Sequence, residues 1–309
     1  MAELLCKEGD LEVRLESSHS IEYQDLLFFH SNEFISRNND STPLFFNLYV
    51  AGKNLASIVF EVIDQVATSL PLSPFGGMMT GQIVDTPILN KLLQVIIDYF
   101  SKNKCNVQIT LPPGIYSTYS FDYLNLGFEV KYQDVNQHIP IDKEDLHHSL
   151  NRNRKRKLVL NNDQGYQFLR LNLSHLEEAY KLIKECRIDK GYPVTMSLNE
   201  LQNAFSSFPY RYLLFGVYDG SELIASAVSI RVSKNILYNF YHGDRLSHRS
   251  TGPVTLLVAG IYEYCQEQNI EILDLGISSQ HGELNEGLFY FKRSCGAVST
   301  DKFSYQLEV

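Results

Sequence analysis

The sequence predicts an α/β protein built from two copies of one unit, on three observations. Its 309 residues exceed the usual size of a single domain, so two domains of about 150 residues are expected. The stretch "YVAGKNLASIV", from Tyr49, resembles "YDGSELIASAV", from Tyr218: Tyr49, Ala56, Ser57 and Val59 match Tyr218, Ala225, Ser226 and Val228. Further matching segments follow both stretches in the same order, half a chain apart. The domains are placed at residues 1–145 and 146–309.

Each element has a local reason. "PLFFNLYV" and "YRYLLFGVY" are apolar runs that lead into hairpins, with Gly-Lys-Asn or Gly-Ser at the turn. "LNKLLQVIIDYFSKNKC" and "VTLLVAGIYEYCQEQN" have apolar residues at helical spacing and polar ends; the strands "NVQITL" and "IEILDL" follow them. "YLNLGFEV" and "FKRSCGAV" each read as a helical turn, a Gly and a strand. The second copy opens on the strand "YQFLRLNLS". A capping box at Ser174 and Glu177 is expected next, then a helix with Leu176, Tyr180 and Ile183 and the neighbouring Ala179, Leu182 and Cys186 on one face. Ser197 and Glu200 form a second such signature. The expected order is strand, two helices, three strands, helix, strand, helix, strand.

Composition narrows the function. The formal net charge of −9 argues against DNA or a membrane surface as a bulk partner, so any anionic partner needs a local basic patch. Cysteines at 6, 105, 186, 265 and 295 contain no CxxC pair and leave one over, as expected of free thiols in a reducing compartment. "MAELLCKEGD" lacks the pattern of a signal peptide, and no apolar run reaches the roughly 18 residues of a membrane helix, so a cytoplasmic chain without membrane insertion is expected. The histidines have no zinc-type spacing, and no metal is expected.

Two segments carry candidate chemistry. Five of the six residues from Arg152 to Lys157 are basic, which suits a solvated helix start, a nuclear-localisation signal or an anion site that includes Arg152, Arg154 and Arg156. "HRSTGPVTLL" places Gly252 and Pro253 at a helix start, where free N–H groups and the helix dipole favour an anion.

Arg249-Ser250-Thr251-Gly252-Pro253-Val254 resembles the Gln/Arg-x-x-Gly-x-Gly/Ala pyrophosphate loop of GNAT acyltransferases, with Val254 in place of the usual small residue. The tandem arrangement resembles the Fem-type peptidyltransferases and their FemAB-like relatives. "DLG", Asp274 to Gly276, ends a strand, and "GLFYFKRSCGA" is similar to their Gly-Leu-x-x-Phe-Lys-x-x-Phe-Gly signature, with Gly287, Leu288, Phe291, Lys292 and Gly296 in register and Cys295 replacing an aromatic. The resemblance implies two GNAT-like domains, each a mixed, mostly antiparallel sheet flanked by helices. The first has a degenerate donor site, since "SPFGGMMTGQIVDTPIL" keeps glycines but not the loop motif. It also implies transfer of an acyl group, from acyl-coenzyme A such as acetyl-coenzyme A, to a small-molecule or peptidyl amine by direct attack in a cleft between the domains.

In that scheme Arg249, Ser250, Thr251, Gly252 and Val254 hold the donor, Lys292 and Phe291 line the cleft, and Arg187 and Lys190 meet the acceptor. Tyr241, His242, Asp244 and Tyr290 are candidate proton handlers, with Asp244 orienting His242. The competing reading of Tyr238, Phe240 and His242 is one face of an ordinary strand. Two alternatives stand beside acyl-coenzyme A transfer: a Fem-type aminoacyltransferase that uses aminoacyl-tRNA, its RNA meeting the basic run, and a GNAT-like binding module without catalysis.

Overall fold

The computed structural model describes residues 2–21, 26–38, 42–80, 83–116 and 123–309; Gly81 and Gln82 of the glycine-bearing segment of the first copy lie outside them. The chain forms two compact units. One comprises residues 1–135, 280–283 and 300–309, and the other residues 136–279 and 284–299.

In the first unit, β1 (Glu3–Glu8), β2 (Leu11–Glu16), α1 (Asn32–Asn38), β3 (Leu44–Val50), β4 (Lys53–Ile63), β5 (Val66–Ser69), β6 (Met79–Thr80), α2 (Thr86–Lys102), β7 (Asn106–Thr110) and the start of β8 (Glu129–Pro140) follow in order. Strands β1 to β5 pair antiparallel in sequence, and β5 then runs parallel to β7. Alternation along β3 and β4 sends Phe46, Leu48, Ile58 and Phe60 to one face, where Leu92, Leu93, Ile96 and Phe100 of α2 cover them. Pro87 suits the first turn of α2, where its missing N–H costs nothing.

The second unit contains α3 (Arg152–Asp163), β9 (Gln167–Leu171), α4 (Leu176–Asp189), α5 (Leu198–Ser207), β10 (Tyr212–Asp219), β11 (Glu222–Arg231), β12 (Ile236–Asp244), α6 (Pro253–Glu267), β13 (Ile272–Ile277), β14 (Ser279–Gln280), β15 (Glu283–Leu284), α7 (Glu286–Ser294) and the start of β16 (Val298–Leu307). Its sheet runs β8-β13-β12-β11-β10-β9, antiparallel except for the parallel pair β12 and β13. Phe215, Ala225, Ala227, Leu237 and Leu273 form the core with Leu257, Val258 and Ile261 of α6. The expected succession of elements is present, and both sheets are mixed and mostly antiparallel.

Two expectations are corrected. The chain passes between the units at Val135 and Asn136, not at 145/146, because Asn136 to Pro140 complete β8 and pair with β13. Residues 300–309 belong to the first unit, where Ser304 to Leu307 of β16 pair with Thr110 to Val107 of β7. Strand β7 of the first unit thus pairs with a strand from the second sequence half, and β13 of the second unit with one from the first. The capping box at Ser197 and Glu200 is present, whereas Ser174 does not cap α4: its own N–H is taken by Asn172, which caps a short turn ahead of the helix.

Candidate functional site

The site of the second unit is built where β12 and β13 part. They pair over Ile236/Ile272, Leu237/Leu273 and Tyr238/Asp274 and no further. Beyond that point the register of β12 against β11 shifts between Asn239 and Tyr241, a bulge at Phe240. On the other side β13 turns at Gly276, whose φ is +76°. A Cβ there would also lie 3.1 Å from the Tyr238 ring, so both backbone and packing require glycine. Asp274, almost fully buried, accepts the Gly276 N–H at 2.7 Å and the Asn136 side-chain amide at 2.8 Å.

That turn aims two carbonyls at Lys292. The lysine is 2% exposed, and its Nζ donates to Gly276 O at 2.8 Å and Ile277 O at 2.7 Å. An ammonium has three protons, so one is left for a ligand. Burial pushes Lys292 down to about 7, against the opposing pull of Asp274. Helix α7 positions it: Asn285 caps the start by accepting Leu288 N–H at 2.9 Å, and Lys292 sits in the last turn, where the dipole favours a cation.

His242 lies beside this lysine, half-buried, with its ring nearly parallel to Phe291 at 6.3 Å between centroids. Burial, and then the cations Lys292, Lys190 and Arg187, press it down to about 3, so the ring is neutral at neutral pH. Asp244 does not orient it. That carboxylate accepts from Cys186 Sγ at 3.2 Å and Lys190 Nζ at 3.3 Å, and it lies 3.6 Å from Arg249 Nε. Tyr241 is also spoken for: its hydroxyl accepts the N–H groups of Thr195 at 2.9 Å and Met196 at 3.0 Å. Tyr290 is 61% exposed and, two residues from Lys292 on a helix, faces away from it. Phe291 carries the Arg154 guanidinium 4.6 Å from its ring centre.

The start of α6 departs furthest from expectation. Thr251 N–H donates to His248 O at 3.0 Å, Gly252 N–H to Arg249 O at 3.2 Å and Thr255 N–H to Gly252 O at 2.9 Å, so three of the turn's N–H groups are taken within the chain. Helix α3 then covers it. The stem of Lys157 lies on Gly252, where a Cβ would meet Lys157 carbons at 3.2 Å, and Lys157 Nζ donates to Ser250 O. Asn161 donates to Thr251 O at 2.9 Å, and Arg154 bonds Ser294 Oγ at 2.9 Å and Thr255 Oγ1 at 3.3 Å. Arg249 is ion-paired with Asp189 at 2.8 Å, and Val254 is buried in the core. Helix α3 thus lies over the turn where a pyrophosphate loop was expected.

The signal for this covering was present in the sequence. Arg154, Lys157, Leu158 and Asn161 recur at i, i+3, i+4 and i+7, one face of a helix, while Arg152 and Arg156 remain exposed. Tyr192, Asn136 and Asn285, which brace the site, carried no comparable mark. Among the described residues no group of three or more His, Cys, Asp or Glu is placed to hold a metal, and no helix is long and apolar enough to cross a membrane.

No protein-family model and no curated protein sequence matches the chain. Solved structures do. The chain is similar to FemX, with a TM-score of 0.64 at 15% identity over 95% of this chain and 94% of that one. It is similar to L-PGS from Bacillus licheniformis, with a TM-score of 0.57 at 11% identity over 86% and 84% of the two chains. A tandem GNAT protein from the clavulanic acid biosynthesis pathway matches with a TM-score of 0.52 at 10% identity over 87% and 83%. The protein has the tandem GNAT, Fem-like fold.

Proposed function

We propose that the protein transfers an acyl group to an amine and takes that group from an ester donor, aminoacyl-tRNA, rather than from an acyl-coenzyme A seated at α6. The fold belongs to the acyltransferase type, and one observation carries the choice of donor: Lys157 packs over Gly252 at the helix start that would hold the pyrophosphate, with Asn161 and Arg154 bonded beside it. The outer face of the same helix presents Arg152 and Arg156 to solvent, a local basic patch on an acidic chain that suits phosphates of RNA.

The chemistry follows from Lys292. The amine nitrogen attacks the ester carbonyl carbon, the carbonyl oxygen becomes an oxyanion, and the carbon–oxygen bond to the leaving hydroxyl breaks. The third proton of the Lys292 ammonium stabilises the oxyanion in a site shielded from water. A pKa near 7 also lets Lys292 pass a proton to the leaving oxygen and recover one from the attacking amine. His242, pressed down to about 3, is too weak a base for that exchange and serves as a neutral hydrogen-bonding wall.

The test is transfer of radiolabelled amino acid from an aminoacyl-tRNA pool to a panel of amines, beside acetyl-coenzyme A as competing donor. The reading expects salt-sensitive tRNA binding, and transfer lost in a folded Lys292→Ala protein. Saturable acetyl-coenzyme A binding that disappears in Gly252→Asp would overturn the choice of donor.

A further inference from the structure

Arg187 stands apart among the cations of this site. Lys190 is paired with Asp244, Arg249 with Asp189, and Lys292 with two carbonyls. Arg187, in the last turn of α4, donates only its Nε, to Pro193 O at 2.8 Å; among the described residues its two terminal nitrogens meet no acceptor. The guanidinium is nevertheless fixed. The Tyr241 ring lies 4.9 Å from its central carbon and the Tyr192 ring 5.9 Å. Tyr241 is pinned by the backbone of Thr195 and Met196, and the Tyr192 hydroxyl accepts from Asn285, the cap of α7, at 3.0 Å. The clamp thus joins α4, the segment after it and the helix that carries Lys292.

A guanidinium held at Nε and against two rings, with both terminal nitrogens open, is arranged to take an oxyanion through two parallel hydrogen bonds. We infer that Arg187 docks a carboxylate or phosphate of the acceptor, so the amine substrate is itself an anion-bearing molecule such as an amino acid, a peptide or a phosphorylated amine. That this molecule is the acceptor rests on the proposed transfer; the anion dock does not. Its neighbours agree in sign, since Arg187, Lys190 and Lys292 all act on His242 as cations, with Asp244 alone opposing.

The experiment titrates the full chain, labelled with nitrogen-15 arginine, with sodium acetate and with inorganic phosphate, against sodium chloride at matched ionic strength. The Arg187 Nε–H resonance is followed by NMR. A saturable shift with acetate, phosphate or both, absent with chloride, is expected, and the preferred ion names the group. Arg187→Gln should weaken binding about tenfold to a hundredfold, the range for a charge-assisted pair. Arg187→Lys should restore only part, because it returns the charge without the fork. No saturable shift in the wild type, or undiminished binding in a folded Arg187→Gln protein, overturns the inference. Anion docking that persists while no donor gives transfer removes the catalytic reading and leaves the dock.

Discussion

Replacing Lys292 by Met tests the buried ammonium without asking for activity. Methionine keeps much of the length and removes the charge. The fall of Lys292 from its ordinary 10.5 to about 7 spans roughly 3.5 pH units, or about 5 kcal/mol at about 1.4 kcal/mol for each. Above pH 10.5 the amine is neutral folded and unfolded, and it contributes no pH dependence. As pH falls towards 7 the unfolded lysine binds a proton that the native one refuses, so native stability declines. Below 7 both are protonated and the decline stops. Urea melts of wild type and Lys292→Met at intervals from pH 7 to 10.5 should therefore give a stability difference that changes by about 1.4 kcal/mol per pH unit, in favour of the wild type as pH rises. The loss of donors to Gly276 O and Ile277 O adds an offset that does not vary with pH. A difference that stays flat across this range would show that Lys292 is not desolvated as described.

Three further outcomes are expected. The His242 ring should stay neutral in NMR titrations from pH 8 down to about 4, and, as a base held low, it should reduce stability as pH falls from 6.5 towards 3; a midpoint near 6.5 would contradict its burial. Gly252→Ala should cost about 1–2 kcal/mol by thermal or urea melts, because φ is +72° there and the new methyl meets Lys157; an unchanged protein would mean that α3 does not rest on this turn. Ser197→Ala should cost about 1 kcal/mol and Ser174→Ala a few tenths at most, since only Ser197 closes a capping box; equal losses would refute that assignment.

The duplicated unit was legible because hairpins, amphipathic helices and strands leave local marks. Tyr49 and Tyr218 end matching strands, and Pro87 and Pro253 open matching helices. The surrounding signature drew attention to Lys292, though its burial against two carbonyls was not legible, since that depends on the turn that Asp274 and Gly276 make sixteen positions earlier. The start of α6 was ambiguous for a physical reason. A glycine before a proline at a helix start fits an anion cradle and equally fits a close approach by another helix; only contact with Lys157, nearly a hundred residues earlier, separates the two. Asp244 looks catalytic in one dimension because strand alternation puts it on the face of His242, and Tyr241 because it is the neighbour of His242 in sequence. Their partners, Cys186, Lys190, Thr195 and Met196, come from the helix α4 and its sequel, and no spacing rule reports such partners.

The exchange of strands between the sequence halves also sets a schedule for biosynthesis. Strand β7 pairs early with β5 but receives its second partner only when residues 304–307 have left the ribosome. Until then the first unit holds an unpaired edge beside an apolar core that still lacks Tyr305 and Leu307, the kind of surface that recruits other nascent chains. Strand β13 faces no such wait, because residues 136–140 are already in place when it appears. The strand that β13 needs is therefore made before it, whereas β7 waits for residues made about two hundred positions later, so its pairing with β16 is a late, long-range step.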